Sequence, residues 1–218
     1  NFSPDYYFKK IISIINTTKN LDSSAVHDTT YYAAQFFPEG GNLVNGLNSE
    51  VAFKVTDNKN KGVDCSGVII DQNQDTLIRF QSEKFGMGHF FLQPDNGKHY
   101  SAIITLQNGS VIKKDLPEIY NSGYVMHVSD TTESKIKIAI QVKEQENNFP
   151  PYIYLIIQTR QHIDFAAAQP IENNRAVFIV SKDSLKDGVA RITVFSENKQ
   201  AVCERLYFKR PDNKMIIS

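Results

Sequence analysis

Few residues in this sequence could do chemistry, and their spacing keeps them apart. Five histidines, His27, His89, His99, His127 and His162, could hold a metal or move a proton. Metal sites need several ligands close together, and spacings such as H-x-x-x-H announce them. None of these histidines is so spaced, and no Cys/His cluster exists. His89 and His99 flank one expected hairpin and would approach each other there. Asp57, Asp64, Asp71 and Asp75 gather at expected sheet ends, which invites calcium, but the D-x-D-x-D-G loop is missing. Cys65 and Cys203 lie far apart in apolar, strand-like runs and read as buried free thiols rather than a disulfide. No serine stands in a G-x-S-x-G context, and no Ser/His/Asp or Cys/His set assembles. Gly86-Met87-Gly88 precedes a strand rather than a helix, so it is a bend and not a phosphate cradle. No catalytic, cofactor-binding or metal-ligating residue is assigned, no cofactor is expected, and the chain reads as a non-enzyme.

What stands out instead is structural. Phe36, Phe37, Pro38, Glu39, Gly40 and Gly41 place two aromatic rings, a strand-ending proline, a carboxylate and a glycine pair in one run. Proline fixes φ and donates no hydrogen bond, and a glycine pair turns through conformations that a Cβ resists. The phenylalanines should anchor a core or an interdomain seam. Glu204 and Arg205 sit between apolar neighbours near the other end of the chain. On a strand their side chains face opposite ways, and Arg205 then needs a carboxylate or carbonyl partner, which Glu39 or the neighbours of Glu204 could supply. Together with the Leu116-Pro117-Glu118 linker these residues are the interface candidates: Phe36, Phe37, Pro38, Glu39, Gly40, Gly41, Pro117, Glu204 and Arg205.

The elements that must position them read as strands. The chain has 218 residues, room for one large or two small domains. Hydrophobic residues are 41% and charged residues 22%, which places it among folded globular proteins. The formal net charge of +0 argues against a nucleic-acid partner or a polybasic membrane patch. No run of about 18 apolar residues could span a membrane as a helix. The chain begins at Asn1 with no initiator methionine and no signal peptide, as a processed protein or an excised piece would.

Residues 1–28 read as a lone strand followed by a polar linker. From residue 29 to 117, alternating runs such as Val51, Phe53 and Val55 are broken by turn chemistry at short intervals, the pattern of a sandwich. Residues 57–62 read as a hairpin loop, Pro94 to Gly97 as a β-turn, and Asn108-Gly109 as a hairpin turn. A second unit spans 118–210. Residues 152–157 are almost continuously apolar and should form a central strand buried on both sides. The alanines 166–168 are too few for a stable helix. Ser181 caps a helical turn. Residues 211–218 form a tail.

Several of these segments carry a family likeness. Residues 36–44, 51–57, 67–71, 86–90 and 94–102 resemble a macroglobulin (MG) domain of the alpha-2-macroglobulin-like envelope proteins of Bacteroidota. Many of those proteins end in a TonB-dependent receptor plug domain. Residues 188–208 resemble the last strands of the following MG domain, and residues 1–10 the final strand of the preceding one. The resemblance implies an all-β chain of two consecutive Ig/fibronectin-III-like antiparallel β-sandwiches with an N-terminal remnant strand. It further implies an internal piece of a larger envelope protein, periplasmic or outer-membrane associated. The Cys-Gly-Glu-Gln thioester of protease-trapping macroglobulins matches neither Cys65 nor Cys203.

The expected function is a non-catalytic structural or interaction module. Its partners would be other domains of the same chain and an outer-membrane or periplasmic protein, and the setting TonB-dependent uptake. A carbohydrate-binding module is the alternative, using Tyr6, Tyr7, Tyr31, Tyr32, Phe36 and Phe37 as an aromatic platform. A macroglobulin-type protease inhibitor without a thioester in this segment is the third reading.

Overall fold

A computed structural model of the chain describes residues 31–143 and 152–211. The expected remnant strand and its linker, and the tail past Pro211, lie outside the described residues. In chain order the strands are β1 (Tyr32–Pro38), β2 (Leu43–Val44), β3 (Ser49–Asp57), β4 (Cys65–Asp71), β5 (Thr76–Gln81), β6 (Met87–Leu92), β7 (Tyr100–Leu106), β8 (Val111–Asp115) and β9 (Ile119–Tyr120). They continue with β10 (Gly123–Thr132), β11 (Lys135–Lys143), β12 (Tyr152–Thr159), β13 (His162–Pro170), β14 (Arg175–Ser181), β15 (Gly188–Phe195) and β16 (Ala201–Lys209).

These strands build two Ig-like β-sandwiches of the same topology. The first faces a three-stranded sheet, β1-β3-β6, with a four-stranded one, β5-β4-β7-β8. The second repeats the arrangement as β10-β11-β14 against β13-β12-β15-β16. All these pairings are antiparallel. Alternation explains the layers. Val51, Phe53 and Val55 are buried while Ala52 is exposed, and Ile136, Ile138 and Ile140 are buried in β11, because successive side chains point to opposite faces.

Each sandwich has its own core. Phe53, Phe80 and Phe90 centre the first, with ring centroids 4.8 Å apart for Phe53–Phe80 and 5.4 Å for Phe80–Phe90. Isoleucine, leucine and valine dominate the second, around Ile138, Ile140, Leu155, Ile157 and Phe178. Cys65 and Cys203 are free and buried, one in each core.

The two sandwiches differ in one connection. In the second, β10 and β11 are joined by a tight turn, with Thr132 opposite Lys135. In the first, the equivalent link from β1 to β3 runs from Glu39 to Asn48 and contains β2. β2 pairs in parallel with β9, the short strand leading into the second sandwich. The glycine-rich run singled out in the sequence is therefore an insertion that reaches the neighbouring sandwich.

Several local expectations are corrected. Residues 57–62 do form a tight antiparallel loop, with the Asp57 N–H donating to the Lys61 carbonyl at 3.0 Å and a Thr56–Gly62 bridge, but the chain then crosses to the other sheet, since β3 and β4 belong to different sheets. The same holds for β6 and β7, so His89 and His99 do not share a hairpin. β12 is central in its sheet, yet only one face is buried: Ile153, Leu155 and Ile157 point inward, whereas Tyr152 and Tyr154 are exposed. A two-layer sandwich leaves each sheet one solvent face. The alanines at 166–168 belong to β13. Asn108-Gly109 does close the β7–β8 hairpin, with Gly109 at φ 83°. Ser181 caps a single 3₁₀ turn by accepting from the Asp183 N–H.

Candidate functional site

The candidate site is the seam between the sandwiches, and it grows from the end of β1. Pro38 closes the strand, because it cannot donate to a ladder. Pairing nevertheless continues one residue further, as the Glu39 N–H donates to the Glu50 carbonyl at 2.8 Å. Glu39 and Glu50 thus face each other on the outward side of the β1-β3-β6 sheet. Like charges directly opposite on paired strands repel, so this pair needs a countercharge.

The second sandwich supplies it. Glu39 Oε1 accepts from the Val128 N–H at 2.8 Å and pairs with the Arg205 guanidinium. Arg205 also donates to the Val128 carbonyl at 3.2 Å. His127 Nδ1 lies 2.7 Å from Glu39 Oε2 and 3.7 Å from Glu50 Oε2. The Glu39 side chain is only 5% exposed and that of Arg205 35%. Burial lowers the pKa of the guanidinium, and arginine still keeps its proton.

Backbone contacts run beside the ion pair. Gly40 and Gly41 adopt φ 85° and 118°, and Gly40 bridges Glu204, whose N–H donates to the Gly40 carbonyl at 3.2 Å. Leu43 and Val44 are fully buried against Ile119 and Tyr120. The Asn45 N–H donates to the Tyr120 carbonyl at 2.9 Å, and Lys143 Nζ donates to the Asn45 carbonyl at 2.7 Å. A polar cleft of about 900 Å³ opens past this link, between residues 45–47 and Asn173, Asn174 and Arg175.

The residues picked from sequence divide accordingly. Glu39, Gly40, Glu204 and Arg205 meet at the seam, Glu204 through its backbone while its side chain is exposed. Pro38 ends the strand and Gly41 turns it. Phe36 packs on the first core, edge-on to Phe90 at 6.1 Å, and is not part of the seam. Phe37 is corrected: it is 50% exposed and anchors neither core nor seam, because one step along the strand reverses the face. Pro117 is half-buried in the linker, between Leu116 and Glu118, with Leu116 and Ile119 packed on the first core.

Sequence reasoning missed Glu50, His127 and the Val128 N–H. Glu50 is one acidic residue before an alternating strand, and His127 one polar residue within another. Only the two-sandwich packing brings them to Glu39. A further group gathers around His89: its Nδ1 lies 2.9 Å from Glu83 Oε1, and its Nε2 3.9 Å from Glu50 Oε1. The Phe91 ring stands edge-on to both imidazoles, 6.1 Å from His89 and 6.5 Å from His127.

The aspartates have structural duties. Asp57 Oδ1 accepts from the N–H groups of Lys59 and Lys61, and Asp71 Oδ1 from those of Asn73 and Asp75. Both order turns in the way short acidic side chains do. Among the described residues no helix is long and apolar enough to cross a membrane.

No family model matches the chain, and no curated protein matches it. Among solved structures, the native conformation of E. coli alpha-2-macroglobulin is similar over 81% of this chain and 16% of that one, at 8% identity and a TM-score of 0.32. Apo Bacteroides uniformis beta-glucuronidase 3 is similar over 81% of this chain and 25% of its own, at 12% identity and a TM-score of 0.29. The chain thus spans a quarter or less of the length of either structure.

Proposed function

We propose that this chain is a non-catalytic spacer and interaction module: two β-sandwiches held at a fixed angle within a larger multi-domain protein of the bacterial envelope. The observation that supports this most is the seam. An inserted connection from the first sandwich contributes a buried carboxylate and a backbone bridge to the second, and a short parallel ladder to the strand β9 that leads into it. Sandwiches joined only by a linker would swing freely. Ion pair, ladder and apolar contact together resist that motion. The envelope setting, and a role beside TonB-dependent outer-membrane uptake, rest on the sequence resemblance alone. Partner binding would use strand edges, whose backbone groups invite an added strand. β16 is one such edge of its sheet and shows Leu206 and Phe208, 63% and 58% exposed.

The joint is tested by double electron–electron resonance on the full chain, with spin labels at V111C and E197C. Both native cysteines are buried and are spared by native-state labelling. One narrow distance distribution is expected. A broad distribution spanning many ångströms would end the rigid-spacer reading.

One observation favours the carbohydrate-binding alternative. Tyr152 and Tyr154 are exposed on the open face of β12, opposite Pro170 and Ala168 of β13. The two rings stay 49% and 38% exposed, although Phe195 of β15 flanks Tyr154 on its other side. Of the platform expected from the sequence, Tyr31 and Phe37 are exposed and Tyr32 and Phe36 half-buried, while Tyr6 and Tyr7 lie outside the described residues. A glycan array separates the two readings: binding lost in Y154A supports the alternative.

A further inference from the structure

We propose that Glu39, Glu50 and His127, with His89 at their rim, form a divalent-cation site of the zinc type that staples the two sandwiches. Ligand atoms of the first three all lie within 4.8 Å of one another. In a tetrahedral zinc site with bonds of about 2.0–2.1 Å, neighbouring ligand atoms stand about 3.3 Å apart. The separations from His127 Nδ1, 2.7 Å to Glu39 and 3.7 Å to Glu50, straddle that value. A small torsional adjustment would bring all three onto one ion.

The surroundings resemble a second coordination shell. Glu39 Oε1 is held by the Val128 N–H and Arg205, which leaves Oε2 turned toward His127. Glu83 sits on Nδ1 of His89, which directs Nε2 toward Glu50. A carboxylate on one imidazole nitrogen is the usual way of presenting the other to a metal. Charge agrees as well. Arg205 pairs with Glu39, so Glu50 and Glu83 leave the group an excess of two negative charges when the histidines are neutral, matching a divalent ion. Mixed imidazole and carboxylate donors favour zinc over calcium or magnesium, which take oxygen ligands. His127 is 47% exposed, so an ion can enter from solvent. Glu39 and Glu50 belong to the first sandwich and His127 to the second, so a bound ion would tie the two together.

The test is calorimetric titration of chelator-treated full-length protein with zinc chloride, checked by thermal melting. One equivalent should bind and raise the melting temperature. Glu50→Gln and His127→Gln should each weaken binding at least tenfold, whereas His99→Ala and His162→Ala should leave it unchanged. Circular dichroism confirms folding, and either of the first two variants suffices if the other misfolds. No saturable binding, equal loss in the His99 control, or calcium preferred over zinc would overturn the proposal. A rigid joint without zinc affinity would leave the spacer reading standing and remove this site alone.

Discussion

Glu39 and Arg205 come from different sandwiches and form one ion pair, with the Val128 N–H on the same carboxylate oxygen. Removing one partner strands a charge that the fold has taken out of water. Arg205 keeps 35% of its side chain exposed, so the loss falls below the ~3–5 kcal/mol of a fully buried pair. R205A should cost about 2–3 kcal/mol in urea denaturation. Replacing both residues by leucine should cost less than R205A alone, because no unpaired charge remains.

Gly40 and Gly41 separate backbone strain from crowding. A Cβ on Gly40 would stand 3.1 Å from Met126 Cβ and 3.2 Å from Met126 N, at φ 85°, whereas one on Gly41 at φ 118° meets nothing within 4 Å. Gly41→Ala should cost about 1–2 kcal/mol from the left-handed backbone alone. Gly40→Ala should cost more and should also broaden the distance between spin labels at positions 111 and 197, since Met126 must shift to admit the methyl.

Phe36 and Phe37 are neighbours with opposite roles. Phe36→Ala removes a ring packed on Phe90 and should cost about 2–4 kcal/mol, less than a fully buried phenylalanine. Phe37→Ala should change stability by no more than about 0.5 kcal/mol. Thermal unfolding of the two variants side by side checks this.

Asp164 links stability to acid. Burial raises its carboxyl pKa, but hydrogen bonds from Thr159 at 2.5 Å, His162 and the Lys186 N–H outweigh burial and hold it below the usual carboxylate value. A depressed pKa contributes stability that is present above the unfolded-chain value near ~3.9 and is lost as pH falls through the lower folded value. D164N should therefore destabilise the protein at pH 7, and the gap to the wild type should close below about pH 4. A gap that stays constant from pH 7 to pH 3 would refute the linkage.

The cysteines should be silent in the native state. Burial pushes the Cys203 thiol up to about 12 and raises that of Cys65. The thiolate is the reactive form. A colourless disulfide reagent should label neither at pH 8 until denaturant is added, and then both.

The β class was written in the sequence. Alternation at Val51, Phe53, Val55 and at Ile136, Ile138, Ile140 follows from the two-residue period of a strand, a local property. So do the Asn108-Gly109 hairpin and the Ser181 cap, because turn chemistry lies within a few residues. Arg205's need for a partner was also legible, since a cation between apolar neighbours cannot be left bare. Its geometry was not. Whether a turn such as residues 57–62 closes a hairpin or crosses between sheets depends on which strands pair. Whether β12 is buried on one face or two depends on what packs above it. The meeting of Glu39, Glu50, His127 and Arg205 depends on how one sandwich seats on another, across more than 160 residues of chain from Glu39 to Arg205. Local chemistry determined the strands and turns. Packing alone decided the seam, because the groups that meet there share no sequence neighbourhood.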